Sequence, residues 1–297
     1  MTEFQYARTE LLDIAYFDRG NRDGFPVVLL HGWPDDALTW GRVSPGLIDA
    51  GFRVIVPYLR GFGPTRFISA ETPRSGQLAA LGRDVVELAD ALRLERFALV
   101  GHDWGARAAA IATTEVQATG RVSHLAMLSV GYGTNDPNQK LPLEQIQNYW
   151  YHWYMSLPRG LELVRDDRKT FTRYIWNVWA PNWKLASEEF DATAASFENP
   201  DWFEIVIHSY RHRWGYAVGD PRYADLEKRL NPPPTVQVPT LVLHGADDPC
   251  NRPFTSEGKE RFFTGRYARK LLPGIGHFPQ REAAGEVADE LVVFLQN

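Results

Sequence analysis

"RFALVGHDWGAR", residues 96–107, places an aspartate at the centre of a turn that joins a strand to a helix. The apolar run before the turn predicts a buried strand, and the alanine-rich run after it predicts a helix. Gly101 and Gly105 stand two residues before and after Asp103, so the chain can turn sharply and the helix can pack close to the strand. This G-x-nucleophile-x-G pattern predicts that Asp103 is presented at the carboxyl end of a sheet strand, as a catalytic nucleophile is.

The identity of the central residue indicates the chemistry. A serine in such a turn needs a base to activate it, whereas an aspartate is ionised at neutral pH and attacks unaided. We therefore expect Asp103 to attack an electrophilic carbon and to form an ester on the enzyme. An aspartate at a strand-to-helix junction is also commonly a helix cap, but the paired glycines and the motifs further along the chain favour the nucleophile.

Length and charge limit the classes of function. The 297 residues are enough for one large α/β domain that carries an insertion. A net charge of -5 gives no electrostatic reason to expect nucleic acid or an anionic membrane as a partner. The apolar runs are too short to cross a membrane, and the first residues do not resemble a secretory signal. The single cysteine, Cys250, excludes an internal disulfide and fits a reducing compartment, so we expect a cytoplasmic protein.

The pattern of elements changes twice along the chain. Alternating strand and helix patterns predict that residues 1–131 form the first part of an α/β core, with a mostly parallel sheet flanked by helices. Residues 132–230 show only helical patterns and predict an inserted helical cap, or lid. Residues 231–297 return to the core. Seven of the ten tryptophans lie in the predicted cap, which indicates an aromatic core and an apolar underside: Trp150, Trp153, Trp176, Trp179, Trp183, Trp202 and Trp214.

Three further motifs follow predicted strands, in the order that a catalytic triad on such a core requires. "LVLHGADDPC" (241–250) supplies an acid, for which we prefer Asp248 to Asp247, and "LPGIGHFPQRE" (272–282) supplies His277 as the base. "LLHGWPDD" (29–36) contains a turn that could aim the backbone N–H of Trp33 into the site. Together with the N–H of Trp104, it predicts a two-donor oxyanion hole.

These motifs carry a resemblance to a known family. "HGWP", "YLRGFG", "GHDWGA", "HGADD" and "GHFPQRE" are similar to those of α/β-hydrolases, in the branch that contains epoxide hydrolases and haloalkane dehalogenases. The resemblance covers nearly the whole chain. It implies the α/β-hydrolase fold with a helical cap, no metal or other cofactor, and water with a small apolar epoxide as the reactants. A homodimer is compatible with it.

The choice of substrate depends on tyrosines in the cap. Opening an epoxide produces an alkoxide that needs a proton donor, whereas a departing halide needs none. The epoxide hydrolases carry two cap tyrosines, one opening a Tyr-x-x-aromatic-Phe run and one directly before an arginine. Tyr151 opens such a run here, with Met155 in place of the phenylalanine, and Tyr210 precedes an arginine. Because of the methionine, Tyr149 and Tyr154 remain alternatives for the first donor.

The neighbours of Tyr151 are predicted to line the substrate pocket: His152, Trp153 and Tyr154. A histidine-tryptophan pair at this place also resembles the fluoroacetate dehalogenases, which hold their substrate carboxylate with two arginines after the nucleophile. Arg107 matches one of these arginines, but Trp104 occupies the place of the other. Haloalkane dehalogenases often carry asparagine where this chain has Trp33. Both departures favour an epoxide hydrolase over the two kinds of dehalogenase.

Two other interpretations carry less weight. A hydrolase fold can serve as a receptor without catalysis, but a receptor has no physical need for a complete set of nucleophile, acid and base. Glu204, His208 and His212 have a helical spacing that could place three metal ligands on one face. An amphipathic cap helix that carries Tyr210 explains the same residues more simply.

Overall fold

The computed structural model describes residues 3–133, 140–183 and 186–297, which fold around one sheet. The strands are β1 (Gln5–Arg8), β2 (Leu12–Arg19), β3 (Pro26–Leu30), β4 (Arg53–Pro57), β5 (Arg66–Phe67), β6 (Phe97–His102), β7 (Val122–Leu128), β8 (Thr240–Gly245) and β9 (Tyr267–Leu272). Their order in the sheet is β1-β2-β4-β3-β6-β7-β8-β9, and β5 pairs with β2. The run from β4 to β9 in this order is parallel, and β1, β2 and β5 pair antiparallel.

Helices account for the remaining regular structure. They are α1 (Ser44–Asp49), α2 (Leu78–Ala91), α3 (Trp104–Glu115), α4 (Leu143–Asn148), α5 (Trp150–Tyr154), α6 (Pro158–Asp166), α7 (Arg168–Trp179), α8 (Ala186–Ala194), α9 (Trp202–Arg213), α10 (Ala224–Arg229), α11 (Pro279–Glu282) and α12 (Ala284–Leu295). None of those within the described ranges has the length and apolarity needed to span a membrane.

The central strands are buried because their residues are apolar on both faces. Every residue of β6 and β8 is buried, which is typical of parallel strands covered by helices on each side. The predicted mostly parallel sheet is confirmed. The sequence did not predict β1 and β5, since β1 has a single buried residue among four and β5 is only two residues long.

The chain between β7 and β8 contains α4 to α10 and, in its described residues, no strand. This segment lies within the range 132–230 that the sequence predicts as a cap, of which residues 134–139 and 184–185 are outside the described residues. The exact division into core and cap stays a prediction.

A buried arginine of the core, Arg60, is hydrogen-bonded to this helical segment. Both nitrogens of one edge of the Arg60 guanidinium bond the Asp84 carboxylate, with Nε to Oδ2 at 2.6 Å and Nη2 to Oδ1 at 2.5 Å. The same guanidinium donates to the hydroxyl of Tyr223, which precedes α10, at 3.2 Å. A charge buried at this depth needs such a complete set of partners, so Arg60 also fixes where α10 meets the core.

Candidate active site

Asp103 lies between the end of β6 and the first residue of α3. Its backbone has φ 48° and ψ -112°, a positive φ that is strained for any residue other than glycine. The flanking glycines make the turn possible. A Cβ on Gly101 would lie 2.2 Å from the carbonyl oxygen of Gly105, and a Cβ on Gly105 would lie 2.3 Å from that of Leu30. The pattern read from the sequence therefore corresponds to a close approach of β3, β6 and α3.

The turn after β3 packs directly against Asp103. A Cβ on Gly32 would lie 2.5 Å from the Cβ of Asp103, so only glycine allows this contact. The turn brings the backbone N–H of Trp33 to the carboxylate, where it donates to Oδ1 at 3.0 Å. Trp104 begins α3, and the first N–H groups of a helix have no partner within it. The structure thus brings the Trp33 N–H to the carboxylate of Asp103, and the oxyanion role of the Trp104 N–H stays a prediction.

Asp248 and His277 are hydrogen-bonded to each other. The Nδ1 atom of His277 is 2.8 Å from Oδ2 of Asp248, and both side chains are fully buried. The other oxygen of Asp248 accepts from the backbone N–H groups of Cys250 and Asn251 at 2.8 and 3.1 Å. Asp247 is exposed. Of the two candidate acids, the structure therefore pairs Asp248 with the histidine.

Opposing effects set the charges of this pair. Burial raises the pKa of Asp248, but the His277 charge and hydrogen bonds from His244 and His277 outweigh it and lower that pKa to about 2. Burial lowers the pKa of His277, but Asp248, Asp103 and Glu282 together raise it above its ordinary value of 6.5. The Nε2 atom of His277 is buried and has no hydrogen-bond partner among the described residues. It is thus a basic nitrogen available to a reactant.

Two tyrosines from the helical segment lie close enough to Asp103 to feel its charge. The rings of Tyr151, from α5, and Tyr210, from α9, are 5.4 Å apart and nearly perpendicular. The indole of Trp33 contacts both, stacked on Tyr151 at 5.6 Å and edge-on to Tyr210 at 5.1 Å. Burial, with a smaller contribution from the Asp103 charge, raises the pKa of each tyrosine well above 10. Both hydroxyls are therefore protonated at neutral pH.

The partners of the hydroxyls separate the candidate proton donors. The indole N–H of Trp104 donates to the Tyr210 oxygen at 3.2 Å, which leaves the phenolic proton of Tyr210 free to point elsewhere. The Tyr151 hydroxyl is 3.5 Å from the sulfur of Cys250, a weak partner. Tyr149 donates to the Asn251 side chain at 2.7 Å, so its proton is occupied. This difference favours Tyr151 over Tyr149 as the first donor.

Only one of the three predicted pocket residues beside Tyr151 contacts the tyrosine pair. The ring of His152 lies 4.3 Å from that of Tyr151 and 4.6 Å from that of Tyr210. Trp153 packs on Trp214 at 4.8 Å, and its indole N–H bonds the backbone of α4. Tyr154 packs on a ring of its own helix. These ring contacts support His152 as a pocket residue, and the placement of Trp153 and Tyr154 in the pocket stays a prediction.

The comparisons with known proteins agree with this geometry. Residues 26–284 match the model of a family described as having the alpha/beta hydrolase fold. The chain belongs to the α/β-hydrolase family. Epoxide hydrolase A of Mycobacterium tuberculosis (strain ATCC 25618 / H37Rv) is 29% identical over 299 residues, which cover 92% of this chain and 91% of that protein.

Solved structures show the same relationship. A candidate epoxide hydrolase from Klebsiella pneumoniae subsp. pneumoniae MGH 78578 is 39% identical with a TM-score of 0.92, over 98% of this chain and 96% of that one. Epoxide Hydrolase A from Mycobacterium thermoresistibile is 25% identical with a TM-score of 0.78, over 99% of this chain and 98% of that one. The predicted resemblance to the epoxide hydrolases of this family is confirmed, as is the prediction that the chain is a hydrolase.

One residue of this α/β-hydrolase, Trp179, contacts both His277 and Tyr151. From the sequence alone it was only one of the seven tryptophans in the predicted cap. The Trp179 ring lies 4.7 Å from His277 and 5.1 Å from Tyr151, and its carbonyl accepts the His277 backbone N–H at 2.9 Å. Trp176 and Trp179 stand three residues apart, one helical turn, and this spacing was the available signal. Helix α7 therefore contacts His277 directly.

A second buried arginine ties the histidine loop of the hydrolase to its neighbours. Arg281 bonds Asp35 through Nε at 3.0 Å and Nη2 at 2.6 Å. It also bonds Glu189 and Thr193 of α8, at 2.6 and 2.9 Å. The "HGWPDD" turn, the histidine loop and α8 are thus held together by one guanidinium.

Proposed function

We propose that this hydrolase opens an epoxide through a covalent ester on Asp103 and releases a vicinal diol. The observation that carries the proposal is the pair of buried, protonated tyrosines, Tyr151 and Tyr210, that contact the rings around the nucleophile. An epoxide oxygen becomes an alkoxide when the ring opens and needs such donors. A halide needs no proton. Relatives that are named epoxide hydrolases support the same reaction.

In the first step, an oxygen of Asp103 attacks one oxirane carbon and the bond from that carbon to the ring oxygen breaks. The ring oxygen takes the phenolic proton of Tyr210 while Tyr151 donates a hydrogen bond to it. Tyr210 suits the role because Trp104 fills an acceptor position on its oxygen and leaves the proton to donate. The products of this step are a hydroxyalkyl ester and a tyrosinate.

In the second step, water attacks the carbonyl carbon of the ester. His277 takes the proton of that water through Nε2, and Asp248 stabilises the imidazolium that forms. The N–H groups of Trp33 and Trp104 hold the oxyanion. The acyl C–O bond then breaks, and the departing alkoxide takes the second proton of the water from the new carboxyl group and leaves as the diol. The proton on His277 returns to the tyrosinate, and Asp103 is again a carboxylate.

We assign to α4 through α10 the role of a cap over the reactants. Helices α5 and α9 carry the two tyrosines, and His152 extends the wall beside them. The aromatic rings exclude bulk water, so a small apolar epoxide is the reactant that this wall fits best.

A single-turnover reaction in water labelled with heavy oxygen tests the proposed function. With excess enzyme, styrene oxide should give a first diol without the label, because its new oxygen comes from the Asp103 carboxylate. A labelled first diol means that water attacks the ring directly and contradicts the ester mechanism. A parallel incubation with chlorobutane should release no chloride. Chloride release without diol formation makes the protein a dehalogenase that uses the same nucleophile.

The pH dependence follows from the raised pKa of His277. Ester hydrolysis needs the neutral imidazole, so kcat should fall as the pH drops through a pKa above 6.5. Glu282 contributes to this pKa through its charge. We expect Glu282→Gln to move the acidic limb of the kcat profile to lower pH, because the neutral base persists further into acid.

The control for this prediction is Glu286→Gln. Glu286 pairs with Lys270 at 3.0 Å on the surface of α12, with 45% of its side chain exposed, so it should leave the limb unmoved. Equal shifts of the acidic limb in the two variants would indicate an effect of the net charge of the protein and not of Glu282 itself. A limb that Glu282→Gln does not move would contradict the assignment of His277 as the titrating base.

A further inference from the structure

One short loop, residues 250–252, contacts both Asp248 and the helices that lead to Tyr151. The backbone N–H groups of Cys250 and Asn251 donate to Oδ1 of Asp248, at 2.8 and 3.1 Å. The other oxygen of that carboxylate is the one bonded to His277. The loop therefore fixes the orientation of the acid from the side opposite the histidine.

Gln145 of α4 makes two hydrogen bonds to the backbone of this loop. Its Nε2 donates to the Cys250 carbonyl at 2.7 Å, and its Oε1 accepts from the Arg252 N–H at 3.3 Å. Gln145 is fully buried. Removal of its amide would leave the buried carbonyl of Cys250 without this donor, which costs free energy. The position of α4 on the loop is thus fixed by one side chain.

The chain that continues from α4 into α5 contacts the same loop twice more. Tyr149, which lies between the two helices, donates from its hydroxyl to the Asn251 side chain at 2.7 Å. The hydroxyl of Tyr151 lies 3.5 Å from the sulfur of Cys250. The side chains of α4 and α5 that reach the loop therefore end at the first of the two tyrosines assigned as donors.

These contacts differ in strength. Arg252 donates to Glu144 at 2.7 Å, but this ion pair is partly exposed, and exposed pairs contribute little to stability. The sulfur of Cys250 is a weak hydrogen-bond partner and cannot hold Tyr151 by itself. The buried amide of Gln145, with both its polar atoms bonded to the backbone, is the contact best suited to hold α4 and α5 in place.

We propose that Gln145 is a positioning residue for Tyr151, which it keeps beside Cys250 by joining α4 to the loop of Asp248. The donor role of Tyr151 rests on the proposed function, whereas its placement by Gln145 concerns the free protein alone. Because the same loop bonds Asp248, the acid and the first donor are held relative to each other. Such precision matters, since misplacement of a reacting group by about 1 Å can cost roughly 100-fold in rate.

The S–H stretching band of Cys250 tests the placement without turnover. Cys250 is the only cysteine of the chain, and burial raises the pKa of its thiol, so the proton stays on the sulfur. Tyr151→Phe removes the neighbouring hydroxyl and should move this band in the infrared spectrum. Gln145→Met keeps the length of the side chain but neither hydrogen bond, and should move the band in the same direction. Gln147→Met, the same change at an exposed position of α4, should leave it unmoved.

Ester formation from styrene oxide, followed with excess enzyme, tests the effect on the reaction. Gln145→Met should slow this step by roughly 10-fold, and by no more than Tyr151→Phe does, while the acidic limb set by His277 stays in place. In the Tyr151→Phe background the same change should have almost no further effect, because changes that act through one group are not additive. Gln145→Asn keeps the amide on a shorter side chain and should retain part of the rate.

Three results would overturn the proposal. They are an S–H band that Gln145→Met does not move, equal rates of ester formation in Gln145→Met and Gln147→Met, and a full effect of Gln145→Met in the Tyr151→Phe background. If Gln145→Met does not fold, Gln145→Asn carries the same comparisons. If Gln145→Met and Tyr151→Phe both move the band but Tyr151→Phe forms the ester at the wild-type rate, the placement stands and the donor role in the proposed function fails.

Discussion

His277→Gln incubated with styrene oxide should gain the mass of one intact epoxide and should release almost no diol. The variant keeps a buried polar side chain beside Asp248 but cannot take a proton from water, so the reaction stops at the ester. General base catalysis contributes about 10²- to 10⁴-fold, and we expect the loss in kcat to reach the upper end because Nε2 of His277 is a buried basic nitrogen without a hydrogen-bond partner among the described residues. Intact-protein mass spectrometry measures the adduct, and peptide mapping locates it.

Two controls make this result specific. Asp103→Ala combined with His277→Gln should form no adduct, because the attacking oxygen is gone. His124→Gln changes a half-buried histidine that packs on Phe294 of α12, and it should keep full turnover. An adduct on any residue other than Asp103, or unchanged kcat in His277→Gln, contradicts the assigned mechanism.

Tyr210→Phe should lower epoxide turnover by about 10²-fold or more, since the alkoxide loses its principal proton donor. Tyr151→Phe should cost less, and the double variant should reduce turnover further than either alone, because each hydroxyl can partly replace the other. Stopped-flow measurement of ester formation separates this first step from hydrolysis. The loss should fall on ester formation and leave the pH limb of His277 in place.

Tyr174→Phe is the matched control in the cap. Tyr174 is 57% exposed on α7, and loss of its hydroxyl should not alter turnover. If any variant dehalogenates chlorobutane, that substrate serves as a control. A departing halide needs no proton, so its release should not depend on a tyrosine hydroxyl. If Tyr210→Phe forms the ester at the wild-type rate, Tyr210 is not the donor and the epoxide assignment loses its main support.

The turn at Asp103 could be predicted because its backbone requires particular residues in the sequence. The glycines around Asp103 are required by distances of 2.2 and 2.3 Å to a hypothetical Cβ, so their presence reports the turn directly. The order of nucleophile, acid and histidine follows from strands whose carboxyl ends meet at one edge of a parallel sheet. From the sequence, Asp248 was only the preferred one of two adjacent aspartates. The structure pairs it with His277 at 2.8 Å.

Contacts between the helical segment α4–α10 and the sheet core could not be predicted in the same way. Which tyrosine has a free proton depends on Trp104 and Asn251, which come from distant parts of the chain. Trp153 and Tyr154 were expected in the pocket because they adjoin Tyr151 in sequence, whereas their rings pack on Trp214 and Trp150. Such pairings depend on tertiary packing, which a single sequence does not encode as a local pattern.

The aromatic rings around Asp103 also affect which step limits the rate of turnover. Asp103 is 6% exposed and Tyr210 is 1% exposed, so the aliphatic or aryl body of a reactant must part these rings to arrive, and the diol must part them again to depart. Breathing of this kind occurs over microseconds to milliseconds and limits turnover in many enzymes. Where this opening is slower than the chemical steps, a better acid, base or nucleophile would leave turnover unchanged. Looser packing of these rings would raise turnover.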